Sequence, residues 1–309
     1  MSKQKVVAIV GPTAVGKTAL AGELARRLPV EVISVDSRQV YRGMDIGTAK
    51  ATPQERALVR HHLVDVVEPT DDFSLALFLD LAHAAIQDIA ARGKLPLLVG
   101  GTGQYLWALL EGWRVPPVPP DPAFRAEMEA LAREQGRETL VQRLAQADPQ
   151  ALAIVDTRNP RRVIRALEVH RATGVPWSQL RARGEEQYDA LVLGLTMPRA
   201  ALYRRIDQRV DAMLAAGWAD EVRRLLGQGV TPEHPSMASV GYWELAAYIK
   251  GEMSLGDATR NIKTASHRFA RHQYAWFRLK DPRIHWLDAS EPAKAVEEAA
   301  KLVEGFLSF

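Results

Sequence analysis

The chain has 309 residues in ordinary globular proportions, 47% hydrophobic and 25% charged, with a net charge of +3. It contains no cysteine, which excludes disulfides, thiolate zinc sites and cysteine nucleophiles and fits a reducing, cytoplasmic setting. The apolar run at residues 6–10 is too short for a secretory signal core, and no run reaches the roughly 18 apolar residues of a membrane span.

In chain order, the first element is a strand at 5–10. It leads into Gly11, Pro12, Thr13, Ala14, Val15, Gly16, Lys17 and Thr18. This is the phosphate-loop spacing G-x-x-x-x-G-K-[ST], in the strand-to-helix context that supports it. Backbone N–H groups at the start of a helix over 18–28 are expected to hold a di- or triphosphate. Lys17 would neutralise its charge, and the Thr18 hydroxyl would reach a Mg²⁺ ion. A plain tight turn is the alternative. A second strand at 31–35 ends at Asp36, on the edge that faces the ligand crevice in a doubly wound sheet. Asp36 there suits Mg²⁺ binding through water or general-base work; a helix or turn cap is the structural alternative. Residues 43–50, GMDIGTAK, form a second glycine-bearing polar segment or an ordinary loop.

An amphipathic helix is predicted over 74–92, capped by Ser74, with Leu75, Phe78, Leu79, Ala82, Ile86 and Ile89 on one face. A strand at 95–99 runs into Gly100, Gly101, Thr102 and Gly103, a turn that opens another helix and points polar groups into the same crevice. The alternation predicts an α/β fold, a parallel sheet flanked by helices on both faces.

The rhythm stops at 115–120, VPPVPP, a stiff extended connector. Residues 119–188 read as a small all-helical insertion. Asp121 and Pro122 open one helix there, and Asn159 and Pro160 open another that closes at Gly174. A strand returns at 190–195. Helices follow at 199–216, 219–226, 240–249 and 256–277, then a strand at 284–287 and a helix at 293–306. Residues 1–118 and 189–309 thus make the core. Two stretches are basic: 258–280 has six Lys or Arg and no acid, and 157–171 has five Arg against one Glu. They suggest one positive surface for nucleic acid if they converge, and two solvated helix faces if they do not.

Six segments, GPTAVGKT, SVDSRQVYRGMDIGTAK, LLVGGTGQYLWALLEG, NPRRVIRALEV, VGYWEL and ARHQYAWFR, occur in this order over nearly the whole chain. They resemble the bacterial tRNA dimethylallyltransferases, the block at 34–50 most specifically. The resemblance implies a P-loop NTPase-like core and transfer of a dimethylallyl group from dimethylallyl diphosphate to N6 of adenosine 37, beside the tRNA anticodon, with Mg²⁺. It implies Arg209 as the arginine that stabilises the leaving diphosphate; a carboxylate that takes the amine's proton suits Asp36, and Thr102 would orient the amine or the base. It places Asp36, Ser37, Arg38 and Gln39 against the adenine and its neighbours. Against the anticodon stem-loop it places Arg125, Arg161, Arg162, Arg165, Gly241, Tyr242, Trp243, Arg271, His272, Gln273, Tyr274, Trp276 and Arg278. Trp243, His272, Ala275 and Gln104 depart from the family's usual residues. No membrane is expected as a partner, and a monomer is expected to suffice. The rival readings are a phosphate-loop kinase, a prenyltransferase acting on free adenine nucleotides, and a non-catalytic RNA-binding protein.

Overall fold

The computed structural model describes residues 3–116, 118–180 and 184–308. The expected connector includes Pro117 and the expected insertion includes residues 181–183, and these four positions lie outside the described residues. The chain divides into two compact units, Met1–Leu110 with Gln187–Phe309, and Glu111–Glu186.

In the larger unit, β1 (Gln4–Val10) leads into α1 (Lys17–Ala25), and β2 (Val30–Val35) into α2 (Pro53–Leu58) and the two-residue β3 (His61–His62). Then come α3 (Leu75–Ala91), β4 (Leu95–Gly100) and α4 (Gly103–Leu110). Six strands form one parallel sheet in the order β3-β2-β4-β1-β5-β6. The strands are near-continuous apolar runs, and Val6–Val10 of β1 and all of β2 are buried. Such strands must be covered on both faces. Val7, Ile9, Leu97 and Leu193 pack on Leu20, Ala21 and Leu24 of α1. On the opposite face α3 buries Phe78, Leu79, Ala82, Ile86 and Ile89, after Ser74 caps it by accepting from the Leu77 N–H. Phe78→Ala at such a site costs about 3–5 kcal/mol.

The smaller unit is helical throughout its described elements: α5 (Pro122–Gln135), α6 (Arg137–Ala147), α7 (Pro160–Thr173) and α8 (Trp177–Leu180), with a short 3₁₀ turn at Pro149–Ala153. Asp121 and Asn159 cap α5 and α7, and Gly174 ends α7. Phe124, Met128, Leu140, Leu144, Val163 and Leu167 form its core. Gly184 N–H bonds the Gly112 carbonyl at 2.8 Å, so this unit closes at its base ahead of the proline segment.

The chain returns to the sheet as β5 (Tyr188–Thr196). It continues as α9 (Arg199–Ala215), α10 (Trp218–Gly227), α11 (Tyr242–Ile249), α12 (Leu255–Trp276), β6 (Ile284–Asp288) and α13 (Pro292–Leu307). A second core cluster joins Val40, Tyr41 and Met44 to Trp218, Val222, Leu225, Tyr242, Leu245 and Ile262, so the segment after β2 is packed on α10, α11 and α12.

The strand order explains why motifs distant in sequence converge. β2, β4 and β1 are neighbours, with Val35 opposite Gly100 and Ile9 opposite Val99. Their C-terminal ends release Asp36, Gly101 and Gly11 side by side, where ligands bind in open α/β sheets.

Candidate active site

The phosphate loop is shaped by backbone constraint. Gly11 has φ 136, and a Cβ there would lie 2.5 Å from the Leu195 carbonyl oxygen, so no other residue fits. Ala14 also takes a left-handed conformation, φ 63, strained for a non-glycine residue. Gly16 is the N-cap of α1, no side chain caps the helix, and its first residues line the cavity, an arrangement suited to an anion. The Lys17 ammonium donates to the Gly11 and Pro12 carbonyls at 3.0 and 2.8 Å. Val15 faces the core.

Two cavities open from this edge. One, of about 460 Å³, is lined by Thr13, Ala14, Gly16, Lys17, Thr18, Arg205 and Gln208. The other, of about 390 Å³, is lined by Ser37, Arg38, Thr102, Gln104, Trp218, Ser239, His272 and Trp276. Thr13, Ala14, Asp36, Thr48, Ala49, Gly101, Arg209, Phe269 and Gln273 line both.

The charge balance favours an anion. Lys17 is pushed down to about 8, by burial first and by the Arg209 guanidinium second, with Asp36 opposing. Arg209 is also lowered, by burial and by Arg205, with Asp36 again opposing. Lys17, Arg205 and Arg209 thus line the same cavity as two carboxylates, Asp36 and Glu55. Asp36 is held by the Arg38 N–H, which donates to its Oδ1 at 2.8 Å. Thr102 Oγ1 accepts from the Ser37 N–H at 3.1 Å, which leaves its own hydrogen for another acceptor.

The expected site residues fall into three groups. Thr13, Ala14, Gly16, Lys17, Thr18, Asp36, Ser37, Arg38, Thr102, Arg209, His272 and Trp276 line the cavities. Arg161, Arg162, Trp243, Arg271 and Arg278 are exposed, and Trp243 keeps 54% of its surface. The others are engaged by partners within the fold, although Gln39 and Gln273 also line a cavity. Tyr242 is fully buried and donates to Glu221 at 2.7 Å, so its ring does not reach the surface the resemblance gave it. Tyr274 turns inward, its hydroxyl 2.9 Å from Thr196 Oγ1 and its ring against Trp286. The Gln39 amide donates to the Thr48 and Ala49 carbonyls and accepts from Ser34, so it fastens loops. Gln273, 4% exposed, accepts from Thr13 N–H at 2.7 Å and donates to the Gly101 carbonyl at 3.1 Å, bracketing the two glycine turns. Gly241, φ 93, caps α11 while its N–H bonds Glu244. In the helical unit, Arg125 donates to Glu168 at 2.8 and 2.9 Å, and Arg165 donates to Glu168 and to the Val118 carbonyl.

Sequence reasoning missed several lining or supporting residues. Arg205 stands four residues before Arg209 on α9, on the same helix face, and that spacing was the available signal. Glu221, buried on α10, accepts from the Asp45 and Ile46 N–H groups at 2.8 Å each and from Gly47 N–H at 3.3 Å. A Cβ on Gly47 would lie 2.1 Å from Trp218 Nε1, so only glycine lets the loop sit there. Lys50, with its side chain buried, donates to the Tyr41 carbonyl and to Asp45 and Asp65. The loop at 43–50 is therefore pinned from both ends.

A family model described as IPP transferase matches residues 39–280, and one described as isopentenyl transferase matches residues 4–66. A tRNA dimethylallyltransferase of Roseiflexus sp. (strain RS-1) is 53% identical, covering 98% of each chain. One from Geobacillus thermodenitrificans is 45% identical over 98% of each. Among solved structures, the full-length tRNA isopentenylpyrophosphate transferase of Bacillus halodurans is 42% identical with TM-score 0.74, covering 99% of this chain and 97% of that one. A eukaryotic dimethylallyltransferase acting on tRNA is 28% identical with TM-score 0.82, covering 99% and 80%.

Proposed function

The chain belongs to the tRNA dimethylallyltransferase family, and from that premise we infer that it transfers a dimethylallyl group from dimethylallyl diphosphate to N6 of adenosine 37 in tRNA, releasing diphosphate. The observation that carries this reading is the meeting of the two cavities at Asp36 and Arg209. One cavity is cationic and suits a diphosphate. The other offers a carboxylate and a hydroxyl to an amine.

The N–H groups at the start of α1, Lys17, Arg205 and Arg209 hold the diphosphate. As the C1–O bond breaks, its electron pair leaves with the diphosphate, and these donors stabilise the charge that develops. The N6 lone pair forms the new bond to C1. The carboxylate of Asp36 takes the proton that the amine gives up, and Thr102 orients the amine by hydrogen bonding. The acceptor adenine reaches this cavity only if it leaves its stack, which a single-stranded loop makes cheap. Trp276 and His272, at the rim of the second cavity, suit contacts to that loop. The exposed arginines at 161, 162, 271 and 278 suit phosphates of the anticodon stem-loop.

The oxygen donors of the cationic cavity, the Thr18 hydroxyl and the Asp36 carboxylate, suit Mg²⁺, which prefers one or two protein oxygens together with substrate phosphates. Bound there, Mg²⁺ would neutralise the charge of the leaving diphosphate. Among the described residues no helix is long and apolar enough to cross a membrane. A monomer acting in the cytoplasm is the simplest setting, since one chain lines both cavities.

The test is mass spectrometry of tRNA nucleosides after incubation with dimethylallyl diphosphate, unmodified tRNA and Mg²⁺. The dimethylallyl mass is expected on adenosine, and no transfer overturns the reading. Asp36→Ala should lower turnover by at least about a hundredfold, the scale of general-base loss, with tRNA affinity near that of the unaltered protein. Full turnover in that variant removes Asp36 from the chemistry.

A further inference from the structure

Resting on the reading above, we propose that Phe269 receives the isoprenoid group, stabilising positive charge on its reacting carbon and limiting the length of chain accepted. The reacting carbon is bonded to the departing diphosphate oxygen on one side and to the incoming N6 on the other. It must therefore lie where the cationic cavity meets the acceptor cavity. The side chains common to both are mostly small or polar: Thr48, Ala49, Asp36 and Arg209 among them. Phe269 is the one large apolar residue they share. It lies on the α12 face that also presents Gln273 and Trp276, four and seven residues on, and so points toward the crevice and away from the core that Ala270 joins. The residue keeps 43% of its surface exposed, an open aromatic area on a cavity wall shared with the half-buried Arg209.

An allylic carbon losing diphosphate gains positive charge before the C–N bond is complete. The bond to oxygen breaks with its electron pair on diphosphate, N6 supplies the new pair, and Asp36 takes the proton. An aromatic face attracts the charge through its quadrupole and offers no lone pair to react. The same ring bounds the space left for the rest of the chain, so its size sets which allyl diphosphates fit.

The experiment compares Phe269→Leu, Phe269→Tyr and Phe269→Ala in the full chain, with dimethylallyl and geranyl diphosphate as donors and tRNA as acceptor. Phe269→Leu keeps bulk and loses the ring. Its kcat should fall about tenfold, on the scale of a cation–π contact, while KM for donor and tRNA stays within about threefold. Phe269→Tyr should keep kcat within about threefold. Phe269→Ala should transfer a geranyl group that the unaltered protein rejects. Unchanged kcat in Phe269→Leu overturns the charge role, and unchanged donor choice in Phe269→Ala overturns the size role. Absence of dimethylallyl transfer by the unaltered protein would instead sink the reading beneath this one.

Discussion

Arginines do opposite jobs in the two units. On α7 and α5, Arg165 and Arg125 converge on Glu168, which is 2% exposed. Burial raises the Glu168 carboxyl, but hydrogen bonds from Arg125, the Asp121 N–H and Arg165 outweigh it and bring it down to about 2. The charges there are matched and the product is a stable helical unit. On α9, Arg209 is half-buried against Lys17 and Arg205, and among the described residues it makes no ion pair or hydrogen bond. A half-buried cation that no carboxylate contacts, with Asp36 and Glu55 acting only at a distance, is costly to fold. The fold tolerates that cost where a ligand supplies the missing charge, so an unmatched guanidinium marks a binding site better than a dense cluster of arginines does.

Exchanging the charges tests the contrast. Arg209→Ala should lower turnover by about a hundredfold, the scale of removing one preorganised donor to a developing anion. Glu168→Gln should leave turnover per folded molecule unchanged. Equal losses in steady-state assays would erase the distinction. Next in size is a pH effect at Lys17. Its ammonium form persists below its lowered value near 8 and is lost above it. The Kd for dimethylallyl diphosphate, by titration calorimetry, should therefore rise about tenfold between pH 7 and 9, and Lys17→Met should abolish the slope. The smallest effect concerns stability alone. A carboxyl lowered in the folded state stabilises above its ordinary value and loses that contribution as pH falls toward its folded value. Glu168→Gln should cost about 2 kcal/mol at neutral pH, and urea unfolding should show the gap to the unaltered protein shrinking from pH 4.5 toward pH 2.

Much of this was legible in the sequence, for reasons of pattern. Buried parallel strands such as 5–10 and 95–99 are continuous apolar runs, and the caps Ser74, Asp121 and Asn159 announce their helices. Elements without such a pattern were missed. β3 is only His61 and His62, fixed by pairing with Val32 and Ile33 and by His62 meeting buried Glu31 at 2.7 Å. The cavity-lining edge was readable because glycines and Lys17 are constrained in local sequence. Glu221 and Phe269 were not, because their contacts run to residues far along the chain. The expected surface roles of Tyr242 and Tyr274 met a different obstacle. Periodicity on α11 and α12 does not say which face turns inward, and both hydroxyls found partners inside the fold.

The loop at 43–50 has no regular secondary structure, yet its amides end on Glu221 and its terminal ammonium on Asp45 and Asp65. The entropy of ordering it is therefore lost once, when the protein folds, and not again at each catalytic cycle. A cavity wall that arrives already set surrenders no freedom of its own on capture. Differences in rate between one tRNA and another should then trace to parts of the complex other than this loop, how readily each anticodon loop deforms among them.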